Sequence, residues 1–177
     1  VKKALRESEE RYRNLFQTAT DSIFIVDQKT GSFIDANSAA SRLYGYSRKE
    51  FLRRKAIDVS AEPKETEKAI RGSVAHIPIR SHRRKDGTIF PVEITGSYFK
   101  LGEKKLHTAF IRDITERKQE EEELALLAHT IRSISESVSV TDQENKILFV
   151  NDAFLKTYGY TLDELVGKSI SIVRSTT

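Results

Sequence analysis

Residues 21–59, DSIFIVDQKTGSFIDANSAASRLYGYSRKEFLRRKAIDV, return in altered form at residues 136–173, ESVSVTDQENKILFVNDAFLKTYGYTLDELVGKSISIV. Asp27-Gln28 matches Asp142-Gln143. Asn37, Tyr44-Gly45-Tyr46 and Glu50 match Asn151, Tyr158-Gly159-Tyr160 and Glu164, with one residue fewer in the intervening turn. A repeat this long is a domain rather than a short solenoid unit, so the chain must take the same local path twice. The second copy stops early. One complete domain and the N-terminal half of a second are therefore expected, as a piece of a longer protein.

The local signals define that path. Residues 3–19 read as a helix with Leu5, Tyr12, Leu15, Phe16 and Ala19 on one stripe. Ile23 to Val26, a turn over residues 28–31, and Ser32 to Ala36 form a hairpin pattern. The second copy repeats it with Val138 to Thr141, a turn at Glu144-Asn145, and Ile147 to Val150. Asn37 and Asn151 are placed to cap short helices that end near Gly45 and Gly159. Ser47 with Glu50, and Thr161 with Glu164, are capping boxes. Pro63 opens a helix over 63–73. Three strands follow, over 76–84, 88–99 and 106–114, joined by turns at Asp86-Gly87 and Gly102-Glu103. Pro91 predicts an edge strand or a bulge at that position. Two strands, several short helices and three strands predict an α+β domain on one antiparallel sheet.

After Thr115 the chain becomes a charged helix. Leu124, Leu127, Ile131, Ile134 and Val138 recur at alternating spacings of three and four, a coiled-coil seam about two heptads long. The expected organisation is an N-terminal amphipathic helix at 1–20, a complete domain at 21–115, a helical coiled-coil linker at 116–135, and a truncated second domain at 136–177.

Composition closes off several function classes. The 177 residues include no cysteine, which excludes disulfides, zinc–thiolate sites and a cysteinyl–flavin adduct in this stretch. A net charge of +4 arises from interspersed charges of both signs, without a basic face interleaved with aromatics, so no nucleic-acid partner is expected. No apolar run approaches the ~18–20 residues of a membrane span, and no signal peptide is visible. A cytoplasmic fragment without membrane contact is expected. No Ser-His-Asp set, Gly-rich phosphate loop or metal-spaced histidine pair is present, so no enzyme and no catalytic or metal residues are expected.

The hairpin, the Asn-initiated helix, Tyr-Gly-Tyr, the Lys85-Asp86-Gly87 turn with Phe90-Pro91-Val92-Glu93, and the closing Arg112-Asp113-Ile114-Thr115-Glu116-Arg117 together resemble a PAS domain. They look most like PAS sensor modules of two-component signalling proteins such as sensor histidine kinases. The resemblance covers about residues 8–117 in full and 130–177 in part. It implies a five-stranded antiparallel sheet with short helices on one face, a pocket between them, and an output helix leaving through Asp113-Ile114-Thr115. It further implies a small-molecule ligand, a homodimer through the flanking helices, and an effector domain in the parent protein: a histidine kinase, or alternatively a diguanylate cyclase or transcription regulator. A ligand-free dimerisation module is the alternative class.

Phe24, Val26, Asn37, Tyr44, Phe51, Phe90, Val92, Ile94 and Phe110 are the candidate pocket residues. In a small domain such side chains fill an interior as readily as they line one. Tyr44 and Tyr46 read as packing aromatics ahead of ligand contacts. Asp113, Ile114 and Thr115 are candidate transmission residues, with Asp113 free to pair with a basic residue and Thr115 to cap the outgoing helix. Leu124, Leu127, Ile131 and Ile134 form the seam. His76, His82 and His107 offer no haem-binding pattern, with His82 placed beside an exposed turn; haem and flavin are not expected, and the cofactor is unassigned. Arg80, Arg83, Arg84 and Lys85 read as a solvated hairpin tip, with recognition of an acidic partner as the alternative.

Overall fold

A computed structural model describes residues 2–174. Residue 1 of the expected first helix and residues 175–177 of the expected second domain lie outside the described residues. The chain divides into two compact units, 1–116 and 117–177.

The first unit opens with α1 (Lys2–Thr18), in which only Phe16 is buried, stacked on Tyr12 at 5.6 Å. Leu5 and Leu15 of the expected stripe remain exposed, and Ala19 lies past the helix end. The hairpin of β1 (Ser22–Asp27) and β2 (Phe33–Ala36) follows. Its turn is held by the Asp27 carboxylate, which accepts the Lys29 and Thr30 N–H groups at 2.9 and 3.0 Å. Three short helices come next, α2 (Ser38–Tyr44), α3 (Arg48–Phe51) and α4 (Pro63–Arg71), with a 3-10 turn at Ala56–Val59. The strands β3 (His76–Arg83), β4 (Ile89–Leu101) and β5 (Lys104–Asp113) complete a five-stranded antiparallel sheet in the order β2-β1-β5-β4-β3. This is the α+β architecture expected.

The buried Asn37 fixes where the hairpin becomes a helix. Its Oδ1 accepts the N–H of Ala40 in α2 and of Ile23 in β1, at 2.9 and 3.0 Å, and its Nδ2 donates to Asp21 O. One side chain thus caps a helix and pins the start of a strand, answering donors that would be orphaned inside the domain. The core beside it is aromatic: Phe24 lies 4.7 Å from Phe33, 5.0 Å from Phe51 and 5.5 Å from Tyr44, mostly edge to face.

Pro91 is not on an edge. β4 lies between β5 and β3, and Pro91 pairs with Ser81. The Pro91 carbonyl faces the β5 side, where it accepts Ile114 N–H. The missing N–H faces the same way, at the point where β5 has ended at Asp113, so the ladder loses no bond.

The second unit contains most of α5 (Thr115–Ser133), then β6 (Ser139–Thr141), β7 (Ile147–Val150), α6 (Asp152–Tyr158), α7 (Leu162–Leu165) and a 3-10 turn at Ile170–Arg174. Leu124 and Leu127 are exposed on α5, and Ile134 lies one residue beyond its end. The expected seam therefore does not run on through Ile134 and Val138 on one helix. Past the helix end, the carbonyls of Ile134 and Glu136 are taken up by Asn151 Nδ2 at 3.0 and 2.9 Å. Ile147, Val150, Phe154 and Leu165 form a buried cluster, whereas Val140 and Leu148 on the two strands stay exposed.

Candidate functional site

Between the sheet and the helices of the first unit lies a cavity of about 50 Å³. Phe24 and Val26 of β1 and Ile94 of β4 are among the residues that line it. Tyr44, Phe51, Phe90 and Val92 are buried in the adjoining core but fill it rather than line the cavity. Asn37 belongs to the frame described above. Phe110 is on the wrong side. Ala109 and Ile111 face the cavity, so their neighbour Phe110 points to the opposite face of the sheet and is exposed.

Two histidines that the sequence pattern leaves outside the pocket also stand in the cavity wall. His82 is not at an exposed turn: it is the inward-facing partner of Phe90, and 4% exposed. Its Nδ1 lies 2.6 Å from the hydroxyl of Tyr44. His107 of β5 faces inward opposite Tyr98, and the two rings stack at 4.2 Å. Its imidazole lies over Gly96, where an added Cβ would come within 2.8 Å of Nε2 and would overlap Thr108 O outright. Gly96 is therefore required for close approach rather than for its backbone angles. Burial pushes the pKa of both histidines down to about 4, so both rings are neutral near pH 7. Burial likewise pushes the Tyr44 hydroxyl well up, so it keeps its proton.

Buried polar atoms in folded proteins nearly always have partners. Here the Nε2 of His82 and both ring nitrogens of His107 have none among the described residues. His107 shares its parity in β5 with Ala109 and Ile111, but apolar residues on both parities of that strand leave no sequence signal for which set faces inward; His82 lies two residues before Arg84, which follows the end of β3.

That end of β3 leads to the exit of the domain. Arg84 sits over Phe90, with its guanidinium carbon 3.9 Å from the ring centre. It donates to Leu43 O at the end of α2, and its Nη2 donates to Asp113 Oδ2 at 2.8 Å. The other carboxylate oxygen of Asp113 accepts the N–H and the hydroxyl of Thr115, at 2.9 and 2.5 Å. Asp113, rather than Thr115, is thus the side chain that caps α5. Ile114 between them is buried. The basic cluster is mostly not a free tip either. Arg80 pairs with Glu62 at 3.0 Å, and Lys85 with Glu50 at 2.7 Å. The Lys85 ammonium and the Ser47 donors hold the Glu50 carboxyl down at about 2. Arg83 alone of the four is a plain exposed side chain.

A sequence profile described as a PAS domain matches residues 20–116, more than half of the chain. The chain belongs to the PAS family. A second profile, described as a PAS fold, matches residues 125–177. The PAS domain of an HTR-like protein from Haloarcula marismortui superposes with a TM-score of 0.57 at 24% identity, over 64% of this chain and 97% of that one. Among relatives, a methyl sulfide methyltransferase-associated sensor of Methanosarcina acetivorans is 33% identical over 125 residues, 67% of this chain and 12% of that protein. The diguanylate cyclase DgcM of Escherichia coli K12 is 25% identical over 131 residues, 70% of this chain and 32% of that protein. The chain thus spans less than a third of the length of either relative. Residues 20–116 are a PAS domain. Among the described residues no helix is long and apolar enough to cross a membrane, and no cluster of side chains is placed to hold a metal ion.

Proposed function

We propose that the chain is a complete PAS sensor followed by the first half of a second, and that occupancy of the interior cavity biases the start of α5. The observation that carries this reading is the end of β3. It presents His82 to the cavity and, two residues later, Arg84 to the carboxylate that caps the outgoing helix. A ligand that shifts this strand end changes two arrangements together, which is the form a bistable switch takes. The chain carries no catalysis of its own in this reading. The effector is a histidine kinase, or alternatively a diguanylate cyclase or transcription regulator, in a cytoplasmic homodimer joined through α1 and the Leu124–Leu127–Ile131 face.

One observation favours a second reading, that of a ligand-free dimerisation module. A cavity of about 50 Å³ is far below the roughly 300 Å³ at which typical small-molecule pockets begin. Leu5, Leu15, Leu124 and Leu127 meanwhile leave apolar surface uncovered. Native mass spectrometry of the purified chain separates the two. A reproducible bound small molecule, with altered amide exchange at Thr115 and Glu116, supports the sensor. An empty dimer whose junction never changes supports the second reading.

A further inference from the structure

The two copies keep one register upstream of the hairpin as well as within it. Asn37 Nδ2 donates to Asp21 O at 3.0 Å, and Asn151 Nδ2 to Glu136 O at 2.9 Å. Their Oδ1 atoms accept the N–H of Ile23 and of Val138. α1 ends at Thr18, three residues before Asp21, and α5 ends at Ser133, three residues before Glu136. The helix that leaves the first copy is thus also the lead-in helix of the second, standing where α1 stands before the first.

In the first copy the lead-in helix meets the domain across a groove. Glu9, Tyr12, Arg13 and Phe16 line it from α1, and Asp35 and Arg48, paired at 2.6 Å, line it from the domain. All four charged residues have apolar equivalents in the second copy: Leu124 for Glu9, Ala128 for Arg13, Phe149 for Asp35 and Leu162 for Arg48. Tyr12 and Phe16 are answered by Leu127 and Ile131. Both sides of the groove have therefore lost their charge together. Surfaces that never meet have no reason to change in step. Surfaces that meet do, because a charge set against leucine loses water without gaining a partner. A second pair agrees. Ser38 Oγ donates to Gln17 Oε1 at 2.6 Å, and their equivalents, Asp152 and Arg132, carry opposite charges.

α5 is seated least where it is farthest from Asn151. Exposure rises from 37% at Ile131 to 52% at Leu127 and 67% at Leu124, and Leu162 across the groove is itself exposed. In the first copy Phe16 is likewise buried and Tyr12 exposed. We propose that in the single chain the Leu124–Leu127–Ile131 face closes onto Phe149 and Leu162 of its own second unit, and that pairing of this face between two chains requires it to let go. The homodimer reading above supplies the paired state, whereas the docked state rests on the groove alone. One apolar face then has two mutually exclusive partners, so dimerisation through α5 strips that helix from the unit it leads into.

The test uses the full chain with 13C-labelled Leu and Ile methyl groups, alone and mixed with unlabelled chain, at a dilution where it sediments as a monomer and again at high concentration. The monomer should show nuclear Overhauser contacts from the Leu127 and Ile131 methyls to the Phe149 ring and the Leu162 methyls. Leu127→Glu and Leu162→Arg should each speed amide exchange over residues 124–131 by about tenfold, the order of one leucine lost from a docked face. The double variant should recover most of that loss, because its groove holds opposite charges as the first one does. Leu148→Glu, a similar change at an exposed strand position outside the groove, should leave exchange unaltered and serves as the folded reference. A monomer without those contacts overturns the proposal, and so does a double variant no better protected than the single ones. Protection restored by mixing the two single variants also overturns it, because the groove is then filled by another chain. If the contacts are present and no dimer forms at any concentration, docking stands and the homodimer reading fails instead.

Discussion

Acidification from pH 7 to pH 5 should destabilise the first unit by about 4 kcal/mol, chiefly through His82 and His107. An ordinary histidine titrates near 6.5, whereas each of these has its folded pKa pushed down to about 4. Between those values the unfolded chain binds a proton that the folded domain refuses, so stability falls as pH falls. With pKa values of about 6.5 unfolded and about 4 folded, one such group loses roughly 2 kcal/mol between pH 7 and pH 5. The pair together loses roughly twice that, a large fraction of the ~5–15 kcal/mol that holds a typical domain. The carboxylates with lowered pKa values, Asp27, Glu50, Glu62 and Asp86, act in a different window. Their contribution is complete above the ordinary carboxylate range and fades only as pH falls below about 4.5. The assay is urea unfolding at pH 7, 6 and 5, followed by the amide signals of β1 and β5. The double replacement of Tyr44 by Phe and His82 by Leu removes the buried imidazole without leaving the phenol orphaned, and should halve the pH slope. Stability that is flat from pH 7 to 5, or a slope unchanged by the double replacement, would refute the claim that these rings are buried and neutral.

Gly96→Ala should cost about 3 kcal/mol or more, seen as a fall in Tm, because its Cβ would overlap Thr108 O in the middle of the sheet. Asn37→Ala should cost about 2–4 kcal/mol in urea unfolding, since it orphans the Ile23 and Ala40 N–H groups inside the domain. Asp113→Ala should speed amide exchange at Thr115 and cost about 1–2 kcal/mol, through loss of the α5 cap together with the Arg84 pair. A double-mutant cycle with Arg84→Ala should give a coupling of about 1 kcal/mol or less, because both side chains are a little over a quarter exposed.

Features set by neighbours in sequence were legible. The Asp27 turn, the Asn37 cap, the Ser47–Glu50 capping box and the Pro63 helix start each depend on groups within a few residues. Features set by pairing across the sheet were not. β5 is a central strand with apolar residues on both parities, Leu106 and Phe110 on one and Ala109 and Ile111 on the other. Alternation alone cannot choose the inward set, so it turns Phe110 inward and leaves His107 unplaced. The charged run 83–86 looks like a hairpin tip because its partners are distant in sequence: Glu50 for Lys85, and Asp113 for Arg84. Composition reads a charge without its partner, and tertiary pairing decides whether that charge is solvated or structural.

The two copies separate what the backbone demands from what a ligand can read. Asn37 and Asn151 cap their helices at φ −82°, ψ 175° and φ −88°, ψ 172°. Gly45 and Gly159 end them in the left-handed region at φ 78° and 74°. These residues recur because each answers backbone groups that every such hairpin and helix exposes, whatever the interior holds. They are committed to the chain and carry no information about a guest. The differences fall on the interior. Phe24 and Val26, which line the cavity, are answered by Ser139 and Thr141, and the wholly buried Ala40 by the buried Phe154. Ala40 belongs to the same buried cluster as Phe24 and Tyr44, so a phenyl ring there would crowd that cluster. Under the sensor reading proposed above, selectivity would be set by side-chain volume at positions such as 24, 26 and 40.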